Sequence, residues 1–275
     1  MSTDKIQSIL HETRSFQASA EFRAKANIAS RDALQSLHHL AAQDTEKFWA
    51  DLCRKEIQWQ KPFTKVLDSS RAPHFRWFED GLLNVSFNCL DRHLKTRAHK
   101  AAIIFEGENG DKKTLSYAQL HAEVCQLANA LKKLGIKKTD RVVIYMPMVP
   151  EAVIAMQACA RIGAIHSVVF GGFSAESLKN RIEDAGAKLV ITADGGHRGG
   201  KIVELKKATD EALAKCCPSI ESVIVLRRSK QAISMQAERD HWWHDVVENL
   251  PKQCDPTWVD SEHPLFLLYT SGSTG

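Results

Sequence analysis

Between residues 101 and 226, short apolar runs alternate with amphipathic stretches whose starts and stops are marked by capping residues, and this alternation constrains the fold more tightly than any other feature. Residues 101–106 read as a strand that turns at Asn109-Gly110 and returns through Lys113 and Leu115, a hairpin pattern. Ser116 with Gln119 forms a capping box for a helix carrying Leu120, Val124, Leu127, Leu131 and Leu134 at helical spacing, stopped by Gly135. Next come a strand over 141–146, a helix opened by Pro150 and closed by Gly163, and a strand over 164–170. A helix started by Ser174 and ended by Gly186 leads to a strand over 188–193, a helix from about 201 to 215 and a strand over 222–226. Strands alternating with helices of this length predict an α/β fold, a parallel sheet flanked by helices. Right-handed crossovers place the loop after every strand on one edge, where open α/β sheets bind ligands.

The first 80 residues hold no glycine and read differently. Ala33, Leu34, Leu37, Leu40 and Ala41, then Phe48, Trp49 and Leu52, fall at helical spacing. Trp59, Phe63, Phe75, Trp77 and Phe78 follow irregularly around Pro62 and Pro73, which suits an extension that packs its rings against a larger body. The expected division is therefore a helical and irregular extension over 1–80 and an α/β body over 81–275. Thirty-seven basic residues against 33 acidic ones leave a formal charge of +4, too small and too evenly spread to imply nucleic acid or an anionic membrane. Seven cysteines with no C-x-x-C pair point to reduced thiols and give a metal site little support. Asp4, Glu12 and Glu21 argue against a secretory signal, and no apolar run approaches the roughly 20 residues that span a bilayer, so a cytoplasmic location is expected; Arg14, Arg23 and Arg31 leave a transit peptide open.

Three loops follow strands and fall on the predicted rim. The apolar run Leu265, Phe266, Leu267, Leu268, Tyr269 reads as a buried strand entering Thr270, Ser271, Gly272, Ser273, Thr274 and Gly275, whose N–H groups and hydroxyls can surround phosphate. This is not the Walker pattern, which needs a Lys and a wider glycine spacing. Asp194-Gly195-Gly196-His197-Arg198-Gly199-Gly200-Lys201 sets two cations among four glycines ahead of the predicted helix, and loop physics alone allows either an anion site or a plain connection. Phe170, Gly171 and Gly172 form a strand-to-helix turn. Asp91 and His93 read as surface or hydrogen-bonded positions on a helix. G-x-G-x-x-G, G-x-S-x-G and H-E-x-x-H are all missing, which disfavours dinucleotide dehydrogenases, α/β-hydrolases and zincins.

Tyr269-Thr270-Ser271-Gly272-Ser273-Thr274-Gly275 resembles the phosphate-loop signature of acyl-adenylate-forming enzymes. With Trp77-Phe78-Glu79, Leu83-Asn84-Val85-Ser86, Asn88-Cys89-Leu90-Asp91-Arg92-His93 and the two rim loops, the stretch from about residue 77 onward resembles AMP-forming acetyl-coenzyme A synthetases. The resemblance implies acetate, ATP and coenzyme A as substrates, with Mg²⁺ and an acetyl-adenylate intermediate. It implies that Thr270, Ser271, Gly272, Ser273, Thr274 and Gly275 hold the β and γ phosphates. It also implies that Arg198, Gly199, Gly200 and Lys201 sit against the 3′-phosphate of coenzyme A, and that Phe170, Gly171 and Gly172 sit near its adenine. Lys201 stands where some members have Arg, and His263 stands where an acidic residue is common. In that family the acyl pocket and catalytic Lys lie downstream of the phosphate loop. The chain is accordingly expected to be an amino-terminal portion that lacks its downstream partner segment, carries no catalytic or metal-ligating residue and has negligible ligase activity alone. A synthetase for another short acid, or a non-catalytic coenzyme-binding module, stays open.

Overall fold

A computed structural model describes residues 15–214 and 217–270. The chain divides into two compact units between Cys53 and Arg54. In the first, α1 (Ala20–Lys25) and α2 (Arg31–Gln43) start at Ser19 and Ser30, whose hydroxyls accept N–H bonds from Phe22 and Ala33. They are followed by α3 (Thr45–Glu56).

The second unit opens with an antiparallel ribbon of β1 (Lys65–Asp68) and β2 (Arg76–Glu79), which the irregular aromatic spacing did not signal. Trp59, Phe63, Trp77 and Phe78 gather there with ring centroids 5.0–5.8 Å apart. After β3 (Leu82–Leu83), Asn84 is fully buried and acts as a junction: its Nδ2 donates to Ala160 O at 2.8 Å and Thr257 O at 2.9 Å, and its Oδ1 accepts from Phe87 N–H at 3.0 Å. A π-helical turn (Phe87–Asp91) then passes into α4 (Arg92–Arg97).

The predicted alternation follows. The hairpin is β4 (Ala101–Glu106) with β5 (Lys112–Ser116), and α5 (Tyr117–Lys133) begins at the Ser116–Gln119 capping box. β6 (Arg141–Met146), α6 (Pro150–Arg161), β7 (Ile165–Phe170), α7 (Ala175–Ala185) and β8 (Leu189–Ala193) come next, close to their expected bounds. The helix expected from residue 201 is displaced by a short antiparallel ribbon, β9 (Gly196–Arg198) and β10 (Lys201–Val203), and α8 (Leu205–Ala214) starts only after it. Gly199 and Gly200 both take positive φ, +58° and +72°, as a two-residue hairpin turn requires, and Ile202 and Val203 suit a strand better than a first helical turn. The chain continues through β11 (Ser222–Leu226), β12 (Asp240–Trp242), α9 (Trp243–Val247), β13 (Val259–Asp260) and β14 (Phe266–Leu267).

Six strands form one parallel sheet in the order β12-β11-β8-β6-β7-β14. The pleat sends alternate residues of β6 to opposite faces. Val142, Ile144 and Met146 join the core under α5 and α6, while Val143 and Tyr145 join the core under α7 and α8. Each fully buried Leu or Ile in these layers contributes roughly 1.5–3 kcal/mol. β14 is not the buried strand expected from its apolar run. It lies at the sheet edge against β7 alone, so Phe266 is 51% and Leu268 72% exposed. Among the described residues, no helix is long and apolar enough to cross a membrane.

Candidate functional site

Because all six strands run in parallel, their carboxyl ends share one rim, and a cleft of about 480 Å³ opens there. Residues from five strand exits, those of β6, β7, β8, β11 and β14, and from the β4–β5 hairpin line it, including Phe105, Met148, Phe170, Arg198, Arg228 and Leu268. Two of the loops singled out by sequence, those at 170–172 and 194–201, therefore meet in one depression. The exit of β14 reaches it through Leu268. Of the glycine and hydroxyl string, only Thr270 is described; Ser271, Gly272, Ser273, Thr274 and Gly275 lie outside the described residues.

The β9–β10 ribbon presents its cations as a pair. Arg198 and Lys201 face each other across the two-residue turn, so the antiparallel register directs both side chains to one side of the ribbon. Both are exposed. Lys201 is not at a helix amino terminus, so the helix N–H groups that sequence reasoning added to this anion site do not contribute there. His197 is half-buried and lines the cleft.

The turn after β7 forms the bed on which Arg198 lies. Its guanidinium carbon sits 4.7 Å from the centre of the Phe170 ring, a cation–π contact. A Cβ at Gly172 would come 2.4 Å from Arg198 Nη1, so a bare backbone at that position leaves the guanidinium its place. Gly171 has a different reason: its Cβ would meet the Met146 carbonyl oxygen at 2.8 Å. Phe170, Gly172 and Arg198 thus form one local assembly, although 26 or more positions separate the turn from the ribbon residue.

From Phe170 a series of contacts leads to the last described strand. Phe170 meets Phe173 edge-on at 5.7 Å, Arg181 lies 4.8 Å over Phe173 and 5.1 Å over Tyr269, and Tyr269 Oη donates to Asp184 Oδ2 at 2.5 Å. Burial and the bond to Asp184 push the Tyr269 phenol up to about 12. The residue that precedes Thr270 is in this way held against α7. Nothing in the spacing of Arg181 and Tyr269 foretold that contact.

Asp91, read from sequence as a surface or hydrogen-bonded helix position, meets Arg161 where α6 ends, before β7 begins. It takes a bidentate pair from Arg161 (2.7 and 2.8 Å), and His121 Nε2 lies 3.2 Å away. Burial works against its charge, but the Arg161 and His121 bonds prevail and hold the carboxyl down at about 2. The bond to Asp91, aided by Cys125, raises His121 to about 9. This cluster joins α5, α6 and the π-helical turn, and none of its residues lines the cleft. Sequence reasoning missed Arg161 and His121; the available signal was an arginine ending a helix whose last two turns are mostly apolar.

The family model described as AMP-binding enzyme matches residues 90–275, and the one described as acetyl-coenzyme A synthetase N-terminus matches residues 34–89. Proteins named acetyl-coenzyme A synthetase from Thiobacillus denitrificans and Methylobacillus flagellatus are each 58% identical to this chain over 271 residues. One of the same name from Nitrosomonas europaea is 56% identical over 271 residues. Each comparison covers 98% of this chain and 41% of the relative, so the chain spans about two fifths of the length of the curated relatives it matches.

Proposed function

This chain belongs to the AMP-binding enzyme family, whose model matches residues 90–275, and from that premise we propose that it supplies the coenzyme- and polyphosphate-binding rim of an AMP-forming acetate–CoA ligase. In that reaction an acetate oxygen attacks the α-phosphorus of ATP and expels pyrophosphate, giving acetyl-AMP. The thiol of coenzyme A then attacks the acyl carbon, and AMP leaves. Thr270, Ser271, Gly272, Ser273, Thr274 and Gly275 bind the β and γ phosphates through hydroxyls and backbone N–H groups as charge builds on the departing pyrophosphate. Mg²⁺, when bound with the nucleotide, would neutralise part of that charge at the phosphates held by this loop.

Arg198 and Lys201 position the coenzyme and break no bond. The planar guanidinium of Arg198 suits two-point contact with a 3′-phosphate, while Lys201 adds a point charge from the facing strand. Gly199 and Gly200 make the turn that brings the two together, and Phe170, Gly171 and Gly172 form the surface beside the adenine. On the same basis residues 1–80 are an extension to the adenylate-forming body that includes residues 81–275, and the location is cytoplasmic.

The observation that carries this reading is Arg198 lying on Phe170 in the space left by Gly172, at a cleft where the strand exits converge. Titration of the chain with coenzyme A and with its 3′-dephospho form tests it. Coenzyme A is expected to bind about tenfold tighter or more, the order of two charge-assisted contacts, and Arg198→Ala to remove the preference. Equal affinities in the unsubstituted chain would leave the ribbon as a structural connection.

A further inference from the structure

The β4–β5 hairpin forms a side of the cleft that no sequence motif touches, with Phe105, Glu106, Gly107 and Glu108 along it. Its tip is fastened by one residue from far along the chain. Arg228, in the loop after β11, makes a bidentate ion pair with Asp111, Nη2 to Oδ1 at 2.8 Å and Nη1 to Oδ2. It also donates to Asn109 Oδ1 at 3.2 Å and lies 5.5 Å over the Phe105 ring. The tip is shaped around this contact. A Cβ at Gly107 would fall 2.1 Å from Asp111 Oδ1 and 2.6 Å from Arg228 Nη2, so any other residue there displaces the pair.

Arg228 is fixed in turn through its backbone. Asp194, 1% exposed at the end of β8, accepts N–H bonds at Oδ1 from Gly195 (2.7 Å), Arg228 (2.7 Å) and Ser229 (2.8 Å). The same carboxylate that anchors Arg228 therefore also holds the first residue leading into the β9–β10 ribbon and Arg198. Both ribbons beside the cleft are referred to one buried group on the rigid sheet.

We propose that Asp194, Arg228 and Asp111 are positioning residues of the coenzyme cleft, holding the β4–β5 hairpin as a wall beside the ribbon that carries Arg198. The inference rests on the coenzyme reading of that cleft. Arg228 directs its guanidinium to Asp111 and Asn109, so it does not read a ligand's phosphate. The wall acts through its placement, and its loss weakens the coenzyme equally with or without the 3′-phosphate.

Calorimetric titration of the 275-residue chain and its Asp111→Asn, Arg228→Gln and double variants with coenzyme A and 3′-dephospho-coenzyme A tests this, with amide exchange of residues 101–116 followed in parallel. Each single change is expected to weaken both ligands by the same factor, about threefold to tenfold, with the double variant no worse than either, as for one shared interaction. The Gly107 and Gly110 amides are expected to exchange faster in all three variants, and the preference for the 3′-phosphate to persist. Affinities within twofold of the unsubstituted chain despite faster exchange would overturn the inference while the coenzyme reading stood. So would unchanged exchange, or a collapse of the 3′-phosphate preference on replacing Asp111. An unsubstituted chain that binds neither form would defeat the coenzyme reading itself and the inference with it.

Discussion

Arg161 grips Asp91 where α6 hands over to β7, and Arg228 grips Asp111 at the rim; both pairs are bidentate, and both join segments remote in sequence. They differ in their access to water. The Arg161 and Asp91 side chains are 2% and 17% exposed and their pair is completed by His121 and by the Cys254 carbonyl, whereas those of Arg228 and Asp111 are 14% and 40% exposed. Removing one partner from the inner pair leaves a charge stranded in a medium that solvates it poorly. At the rim, water takes over the abandoned carboxylate. The same contact therefore supports the fold in one place and only the placement of a loop in the other.

The largest break in this comparison is expected from Arg161→Ala, which removes the bidentate partner of Asp91, leaves it His121 as its one charged neighbour and frees the Cys254 carbonyl. About 3–5 kcal/mol of unfolding free energy should disappear, read from urea denaturation. A loss under about 1 kcal/mol, the range of surface pairs, would make the two sites equivalent.

Next in size is the pH response of the inner cluster. His121 is raised from 6.5 to about 9 in the folded protein. Its contribution is therefore complete below pH 6.5 and disappears as pH rises through about 9. The full effect is on the order of 3 kcal/mol, and His121→Gln should flatten that alkaline limb. Asp91, lowered from 3.8 to about 2, acts in the opposite window: its contribution is present above pH 3.8 and lost as pH falls through about 2. Melting curves from pH 6 to 10 decide the His121 part, and an alkaline slope that survives the substitution would show another group to be responsible.

A smaller effect is expected from Gly172→Ala. The added methyl meets Arg198 Nη1 and pushes the guanidinium from the Phe170 ring. The preference for coenzyme A over its dephospho form should fall by about threefold to tenfold in paired titrations. Smallest of all is the stability change in Asp111→Asn, whose melting temperature should stay near that of the unsubstituted chain. A drop comparable to that of Arg161→Ala would mean the rim pair supports the fold as the inner pair does.

Much of this molecule was legible along the chain. The Ser116–Gln119 box, Ser174 and Pro150 act within a turn of helix, and the strands through Met146, Phe170 and Leu226 were recognisable from short apolar runs. The 194–201 loop was read correctly as glycine-rich and cationic but wrongly as the approach to a helix, because the Gly199-Gly200 turn and the pairing of Ile202 with His197 form a ribbon first. The run 265–269 misled through composition alone: apolar residues at a sheet edge have one neighbouring strand, and half of them face outward.

The residues by themselves determined most of the alternation of strands and helices between 101 and 226, the parallel sheet and the chemical character of the rim loops, since caps, turns and hydrophobic period operate over a few neighbouring positions. Tertiary structure alone decided that Arg198 would lie on Phe170, that Asp91 would meet Arg161 across 70 positions and that Asp111 would meet Arg228 across 117. Those meetings depend on how whole elements stack, and a side chain's own sequence neighbours carry no record of the partner that packing brings to it.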